Sequence, residues 1–160
     1  MRKLLSILLA LLFLSACKRE KDLSHLGTFP MGEKVQVGSL TYNVLEAEWK
    51  QEIGAGAGAR APKHRFLFVR LSVTNNGKET VSVPLFNVEG SAGATYSEVS
   101  DGLSEVQDWM GILRNIEPAK SVQGYIVFDA PMTAYSLRVT DAGEPGQEKT
   151  GLIEIPVQLE

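Results

Sequence analysis

The feature that most constrains the fold is the alternation of two sets of side chains in residues 64–75, one of which is entirely aliphatic. A period of two is typical of a β-strand, because successive side chains point to opposite faces of the sheet. One face of this strand is predicted to enter the core, and the other, which carries two phenylalanines, to be half covered. The core-facing set is Leu67, Val69, Leu71 and Val73, and the opposite set is Phe66, Phe68, Arg70 and Ser72.

Similar alternation recurs along most of the remaining chain. Residues 122–129, 135–139 and 153–159 each alternate, and an early strand begins at Leu40. The phase of that early strand slips near Leu45, which predicts a β-bulge. Seven or more short strands separated by turn residues predict an all-β fold, an immunoglobulin-like sandwich of two antiparallel sheets.

Two local patterns predict particular connections. Asn76-Gly77 directly follows the strongest strand and predicts a hairpin whose return strand is residues 80–84. The single helical candidate is residues 104–110, where Ser104 and Gln107 have the spacing of a capping box.

The N-terminus predicts a cleaved lipoprotein signal peptide. Arg2 and Lys3 precede an apolar run, residues 4–14, which is shorter than the roughly 20 residues of a membrane-spanning helix. Residues 14–17, Leu-Ser-Ala-Cys, resemble the lipobox of bacterial lipoproteins, which implies cleavage before Cys17 and acylation of its sulfur and new amino group. The alternative, a buried core cysteine, does not suit a position directly after the apolar run.

This interpretation divides the chain into three parts. They are the signal peptide (residues 1–16), a lipidated N-terminus with a flexible polar tether (17–31), and one sandwich domain (32–160). The membrane is therefore expected as a partner through the lipid at Cys17, since several acyl chains anchor a protein stably. By the same resemblance, Lys18 after the cysteine implies the outer membrane, facing the periplasm, if the organism has two membranes.

Charge and cysteine count exclude two classes of protein. The formal charge is -3, and removal of Arg2 and Lys3 from the 16 basic residues leaves 14 against 19 acidic ones. Such a domain has no excess of basic residues for nucleic-acid binding. A single cysteine also rules out a fold held by intramolecular disulfides.

Three segments resemble an uncharacterised family of bacterial domains with a telokin-like, immunoglobulin-type sandwich. They are residues 37–44, 66–79 and 124–131. The resemblance covers roughly residues 32–158, and it implies a sandwich fold, a secreted or lipid-anchored location and no established catalytic residues. One departure is Ala119 after Pro118, where glycine is expected, and it predicts that the turn there differs.

Sequence patterns associated with catalysis are weak. Gly54, Gly56 and Ala59 match a dinucleotide-binding spacing, but Pro62 and a further strand follow them in place of a helix. Residues 54–60 are therefore predicted to be a hairpin loop. His64 has no nucleophile motif near it, so we expect no catalytic residues, no enzymatic activity and no cofactor.

A calcium- or small-ligand site is the alternative function that the sequence leaves open. Acidic residues crowd residues 98–108, and carboxylates are ligands that calcium prefers. Three of them would share a face if the segment were helical, although the spacing is not that of an EF-hand. The histidines and methionines are too scattered for zinc or copper. The acidic residues are Glu98, Asp101, Glu105 and Asp108.

Trp109 and Met110 are the candidate partner contact, because they lie in the longest irregular segment, residues 101–115. Large apolar side chains in such a loop either pack onto the core or form a contact patch, and packing is somewhat favoured for Trp109. If a partner binds, we expect this loop, together with residues 54–60, to contact it. The predicted function is a lipid-anchored, extracytoplasmic, non-catalytic binding or scaffolding domain with a protein or small-ligand partner.

Overall fold

Eleven β-strands account for nearly all the regular structure of residues 24–157, which are the residues that the computed structural model describes. The predictions for the signal peptide and Cys17 lie outside these residues. A short 3-10 turn at Gly56–Gly58 is the remaining named element of the described chain. The strands are β1 (His25–Phe29), β2 (Lys34–Val37), β3 (Leu40–Lys50), β4 (Arg65–Asn75), β5 (Val81–Val83), β6 (Asn87–Gly90), β7 (Thr95–Ser97), β8 (Arg114–Ile116), β9 (Ser121–Ala130), β10 (Tyr135–Thr140) and β11 (Thr150–Ile155).

The strands form two sheets and a ribbon. Sheet A has the order β1-β11-β10-β6-β7, sheet B has the order β2-β3-β4-β9, and β5 and β8 form the ribbon. All pairs between these strands are antiparallel except β1, which runs parallel to β11. The predicted all-β sandwich of two sheets is confirmed.

The inner faces of the two sheets meet as the alternation predicted. The core-facing set of β4 is fully buried and packs with residues of sheet A such as Leu137 and Ile153. Burial of each such side chain stabilises the fold by about 1.5–3 kcal/mol. The expected bulge is also present, since the β3–β4 register shifts between Val44 and Glu46. Trp49, at the end of β3, is partly buried and packs against this core.

The outer face of sheet B differs from the prediction at one end. Phe66 and Phe68, expected to be half covered, are only 0% and 3% exposed. They form a second apolar cluster, separate from the core between the sheets, whose other buried members are Ile53, Leu103 and Val127. Leu103 comes from the long connection between β7 and β8, so this connection covers the phenylalanines. Local alternation could not reveal a cover that lies 35 residues away along the chain.

β1 lies inside the segment predicted to be a tether. It pairs with β11 from His25, opposite Thr150, to Phe29, opposite Ile153. Main-chain hydrogen bonds to one neighbour suffice for an edge strand, so its sequence needs little apolar alternation. The predicted tether is therefore too long, and the sandwich already includes residues 25–29.

The predicted hairpin at Asn76-Gly77 is wrong. Both edges of β4 are occupied by β3 and β9, so the following segment cannot return along it. Residues 81–83 pair instead with β8. Neither Asn76 nor Gly77 has the positive φ that the tight hairpin turn requires.

Asn75 directs the chain away from sheet B. Its buried amide nitrogen donates to the carbonyl oxygens of Glu79, at 2.7 Å, and Ile116, at 2.8 Å. Its side-chain oxygen accepts from the backbone N–H of Gly77 at 2.8 Å. One side chain therefore joins the end of β4, the following turn and β8.

The turn at Ala119 keeps the form that glycine would favour. Ala119 has φ 59°, and the N–H of Lys120 donates to the carbonyl oxygen of Glu117 at 3.1 Å. Proline followed by a residue with positive φ is typical of a type II turn. The expectation of a different turn is wrong, because the surrounding hydrogen bonds hold alanine in a left-handed conformation.

A buried ion pair joins the ribbon to sheet A. Arg114, at the start of β8, contacts both carboxylate oxygens of Glu98, and both side chains are 0% exposed. The N–H of Phe86 donates to the same carboxylate at 3.0 Å. Burial raises the pKa of Glu98 above its ordinary value, while the Arg114 guanidinium and the Phe86 N–H oppose this rise.

We predict that Asn75→Ala lowers the free energy of unfolding by about 3 kcal/mol, because it removes three hydrogen bonds and leaves buried polar groups without partners. Urea unfolding measures this loss. The matched control is Asn76→Ala, whose exposed side chain donates to the Thr41 hydroxyl at 2.8 Å, and it should cost less than about 1 kcal/mol. Equal losses in the two variants would contradict the role assigned to Asn75.

We predict that Arg114→Met lowers the stability by about 3–5 kcal/mol at neutral pH, because Glu98 is left as a buried charge without its cation. The pKa of Glu98 in the folded variant should rise further above the pKa of the same carboxyl in the unfolded chain. The folded state then binds the proton more readily, so the loss shrinks as the pH is lowered towards 5. Thermal melting at several pH values measures this effect.

The double variant Glu98→Gln/Arg114→Met is the control, since it has no buried carboxylate to titrate. It should be more stable than Arg114→Met at pH 7, and its loss should not vary with pH over this range. If the loss of stability in Arg114→Met is the same at pH 5 and pH 7, Glu98 is not a buried charge that depends on Arg114.

Candidate functional site

The long connection between β7 and β8 is held against β9, on the outside of sheet B. The N–H of Tyr125 donates to the carbonyl oxygen of Asp108 at 2.8 Å, and the N–H of Met110 donates to the carbonyl oxygen of Tyr125 at 3.0 Å. Near the start of the connection, the N–H of Val99 donates to the carbonyl oxygen of Val127 at 2.8 Å. These main-chain bonds attach residues 98–113, here called the covering loop, to the sheet.

Gly124 makes this attachment possible. A Cβ at this position would overlap the carbonyl oxygen of Asp108 and lie 3.2 Å from the nitrogen of Met110. Any other residue would push the covering loop away from β9. The close approach of two backbones is thus the reason for glycine in the middle of β9.

The predicted helix over residues 104–110 is wrong. The covering loop forms two successive turns. The N–H of Val106 donates to the carbonyl oxygen of Leu103, and the N–H of Trp109 donates to the carbonyl oxygen of Val106. Asp108 follows with φ 57°, a left-handed conformation that ends any helix. Attachment to β9 overrides the weak local preference for a helix.

A groove of about 480 Å³ lies between the covering loop and the end of β3. Its floor is formed by Phe68 and Tyr125, whose ring centres are 5.9 Å apart and whose planes are inclined at 70°. Its walls are residues 50–54 on one side and 105–108 on the other. The groove therefore has an aromatic floor between two strongly polar walls.

Two cations lie over the aromatic floor. The Lys50 ammonium is 4.3 Å from the centre of the Phe68 ring and 2.7 Å from a carboxylate oxygen of Glu48. The Arg70 guanidinium is 5.9 Å from the centre of the Tyr125 ring and 3.9 Å from Glu46. Both cations thus have an aromatic ring and a carboxylate as neighbours.

The electrostatic environment of Tyr125 is negative. Desolvation raises the pKa of its phenol above the ordinary value, and the carboxylates of Glu46 and Glu48 raise it further. The Arg70 guanidinium lowers this pKa but does not cancel the other effects. The phenol therefore stays protonated, and its hydroxyl donates to Glu46 at 3.4 Å.

The structure separates the two candidate contact residues. Met110 is 8% exposed and belongs to the core between the sheets, so it has almost no surface to offer a partner. Trp109 is half-buried and packs against the second apolar cluster, as the sequence favoured for this side chain. The partner contact at Trp109 and Met110 stays a prediction, with little of the Met110 side chain accessible to a partner. The exposed apolar residues of the covering loop are instead Ile112 and Leu113, at 48% and 87%.

The four acidic residues of the calcium hypothesis do not converge. Glu98 is buried against Arg114, and Asp101 pairs with Arg60 at 3.6 Å. Among residues 24–157, no group of three or more potential metal ligands is found. The alternative calcium function therefore has no supporting observation in the structure.

Residues 54–60, here called the glycine loop, are the predicted hairpin connection. Ile53 and Arg60 exchange main-chain hydrogen bonds of 2.9 and 2.8 Å, and they close the loop between β3 and β4. Arg60 also donates to the carbonyl oxygen of Asp101 at 2.5 Å. This bond brings the glycine loop and the covering loop together.

Lys50, Arg70 and Tyr125 are the groove residues that sequence reasoning missed. They lie on β3, β4 and β9, and strand pairing places Arg70 directly opposite Tyr125. The available signal was one polar or aromatic residue on the outer face of each strand, which is common in sheets.

In the part of the chain that the structure describes, no helix has the length and apolar character needed to cross a bilayer.

Comparisons with solved structures reveal related sandwiches. The yjhA protein from Bacillus subtilis matches with a TM-score of 0.62 and 15% identity, over 79% of this chain and 98% of that protein. A candidate lipoprotein (ycdA) from the same species matches with a TM-score of 0.57 and 16% identity, over 78% of this chain and 38% of that protein. The secreted protein MPT63 from Mycobacterium tuberculosis matches with a TM-score of 0.54 and 15% identity, over 81% of this chain and 95% of that protein.

At these identities the structural matches establish the fold alone. No curated protein matches the chain in sequence. The family described as "Domain of unknown function (DUF4352)" matches residues 29–149, which contain the nine strands β2 to β10 in full. Because this match covers most of the chain, the protein belongs to the DUF4352 family.

Proposed function

We propose that this protein is a lipid-anchored, extracytoplasmic binding domain without catalytic activity, and that the groove on sheet B is its recognition surface. One observation carries the proposal. The glycine loop and the covering loop, distant in sequence, are joined through Arg60 and Asp101 beside one sheet face. The groove near them presents charged side chains that do not belong to the core between the sheets.

The composition of the groove supports binding rather than catalysis. Its lining contains no histidine, serine or cysteine, so no described lining residue pairs such a nucleophile with an imidazole base. The DUF4352 family does not indicate a catalytic function. Aromatic rings with fixed charged neighbours are instead typical of sites that hold a ligand in one orientation.

Sequence and fold both support an extracytoplasmic location. The lipobox at residues 14–17 predicts acylation of Cys17, and the structural matches include a candidate lipoprotein and a secreted protein. In an organism with two membranes, Lys18 favours the outer membrane, with the domain facing the periplasm. A telokin-like, immunoglobulin-type form of the sandwich is part of the same proposal.

We predict that Cys17→Ser abolishes metabolic labelling of the full chain by a palmitate analogue, because the serine hydroxyl cannot form the lipid thioether. In-gel fluorescence of cells fed the analogue measures the labelling. Ser15→Ala, which keeps a small residue before the cleavage site, should label like the wild type. Labelling that persists in Cys17→Ser would overturn the lipid anchor.

We predict that a photo-crosslinking amino acid at Gln107, on the groove wall, captures a specific partner in intact cells. The matched control is the same replacement at Gln147, an exposed residue in the β10–β11 connection. Adducts are identified by mass spectrometry after membrane isolation. Capture at Gln147 but not at Gln107 would contradict the assignment of the groove as the recognition surface.

A further inference from the structure

The groove carries more negative than positive charge once its internal ion pairs are counted. Lys50 and Arg70 are already paired with Glu48 and Glu46, which lie beside the groove. Three lining carboxylates remain, all exposed, and none forms an ion pair with the residues that the structure describes. They are Glu52, Glu105 and Asp108.

The floor of the groove already accepts cations. Phe68 and Tyr125 make three cation–ring contacts with Lys50 and Arg70, at 4.3, 6.0 and 5.9 Å. The negative face of an aromatic ring attracts an ammonium or guanidinium group, most strongly where water is partly excluded. Lys50 thus occupies a position built from a ring and a carboxylate, which an external cation would also suit.

These two observations are independent, and they favour the same ligand chemistry. On the basis of the proposed function, we propose that the groove binds a basic segment of a partner protein. A lysine or arginine of that segment lies against the Tyr125 ring, and its neighbours pair with the three free carboxylates. Charge complementarity selects this partner, because an acidic segment would face three carboxylates that have no cation to offset them.

The arrangement also assigns a role to Lys50. Its ammonium group competes with a ligand cation for the Phe68 and Tyr125 rings and for Glu48. Binding of a basic segment therefore requires Lys50 to share or leave this position. Removal of the Lys50 charge should strengthen binding, which is the opposite of what damage to the fold would do.

The test uses the full chain, purified from membranes in a non-ionic detergent, and two fluorescent octapeptides. One peptide alternates lysine with glycine and serine, and the other has glutamate in place of each lysine. We expect the basic peptide to bind in fluorescence anisotropy at low salt, and the acidic peptide not to bind. Binding should weaken as the ionic strength rises, since the carboxylates are exposed.

Variants locate the binding in the groove. The triple variant Glu52→Gln/Glu105→Gln/Asp108→Asn should bind the basic peptide about 10-fold more weakly, because each exposed ion pair contributes modestly. The matched control Glu79→Gln/Glu117→Gln/Glu144→Gln removes the same charge from exposed positions elsewhere and should bind within about 2-fold of the wild type. Lys50→Met should bind more tightly than the wild type.

Three results would overturn the inference. They are equal weakening in the two triple variants, preference for the acidic peptide, and weaker binding in Lys50→Met. Each is distinguishable from failure of the proposed function, which the crosslink at Gln107 tests separately. A partner captured at Gln107 through an acidic or neutral segment would refute the basic ligand and leave the binding role of the groove intact.

Discussion

The rest of the structure depends on the pairing of β4 along both of its edges. β3 and β9 follow it through almost its full length, from Phe66 to Thr74. With both edges occupied, the chain after Asn75 cannot continue in sheet B and has to cross to the ribbon. The inner face of β4 then requires sheet A as its cover, and Phe66 and Phe68 on the outer face require a second cover. The covering loop exists because β4 is apolar on both faces at its beginning.

The polar groups buried beside this core set the path of the connections. Asn75 holds the turn that leaves β4, and the Glu98–Arg114 pair holds the two ends of the covering loop where they meet the ribbon. Buried polar groups are costly unless they are satisfied, so each of these contacts permits few alternative paths. The groove is a consequence of this arrangement. It forms where the covering loop, fixed at Asp108 by β9, stands apart from the end of β3.

Predictions from local pattern succeeded where side-chain alternation decides the structure. The core-facing set of β4, the bulge near Leu45 and the hairpin loop after Ile53 depend on neighbours in sequence. Predictions from local pattern failed where a strand distant in sequence determines the conformation of a segment. β1 is held by main-chain bonds to β11, and the turn preference of Asn76-Gly77 yields to the full occupancy of β4. The covering loop has no periodicity, and its form follows from contacts with Gly124 and Tyr125.

The sequence by itself therefore determined the all-β class, most of the strands and the inner face of the sandwich, because a two-residue period records which side chains leave water. The resemblance of residues 14–17 to a lipobox is likewise a property of the sequence alone, because the motif is contiguous, and the lipid anchor that it predicts stays a prediction. Only the tertiary structure decided which strands pair, and with that the groove. Lys50, Arg70, Tyr125 and Asp108 come from four separate segments, and no local pattern relates them. They meet because hydrogen-bond register between distant strands, rather than preference within any one of them, sets their positions.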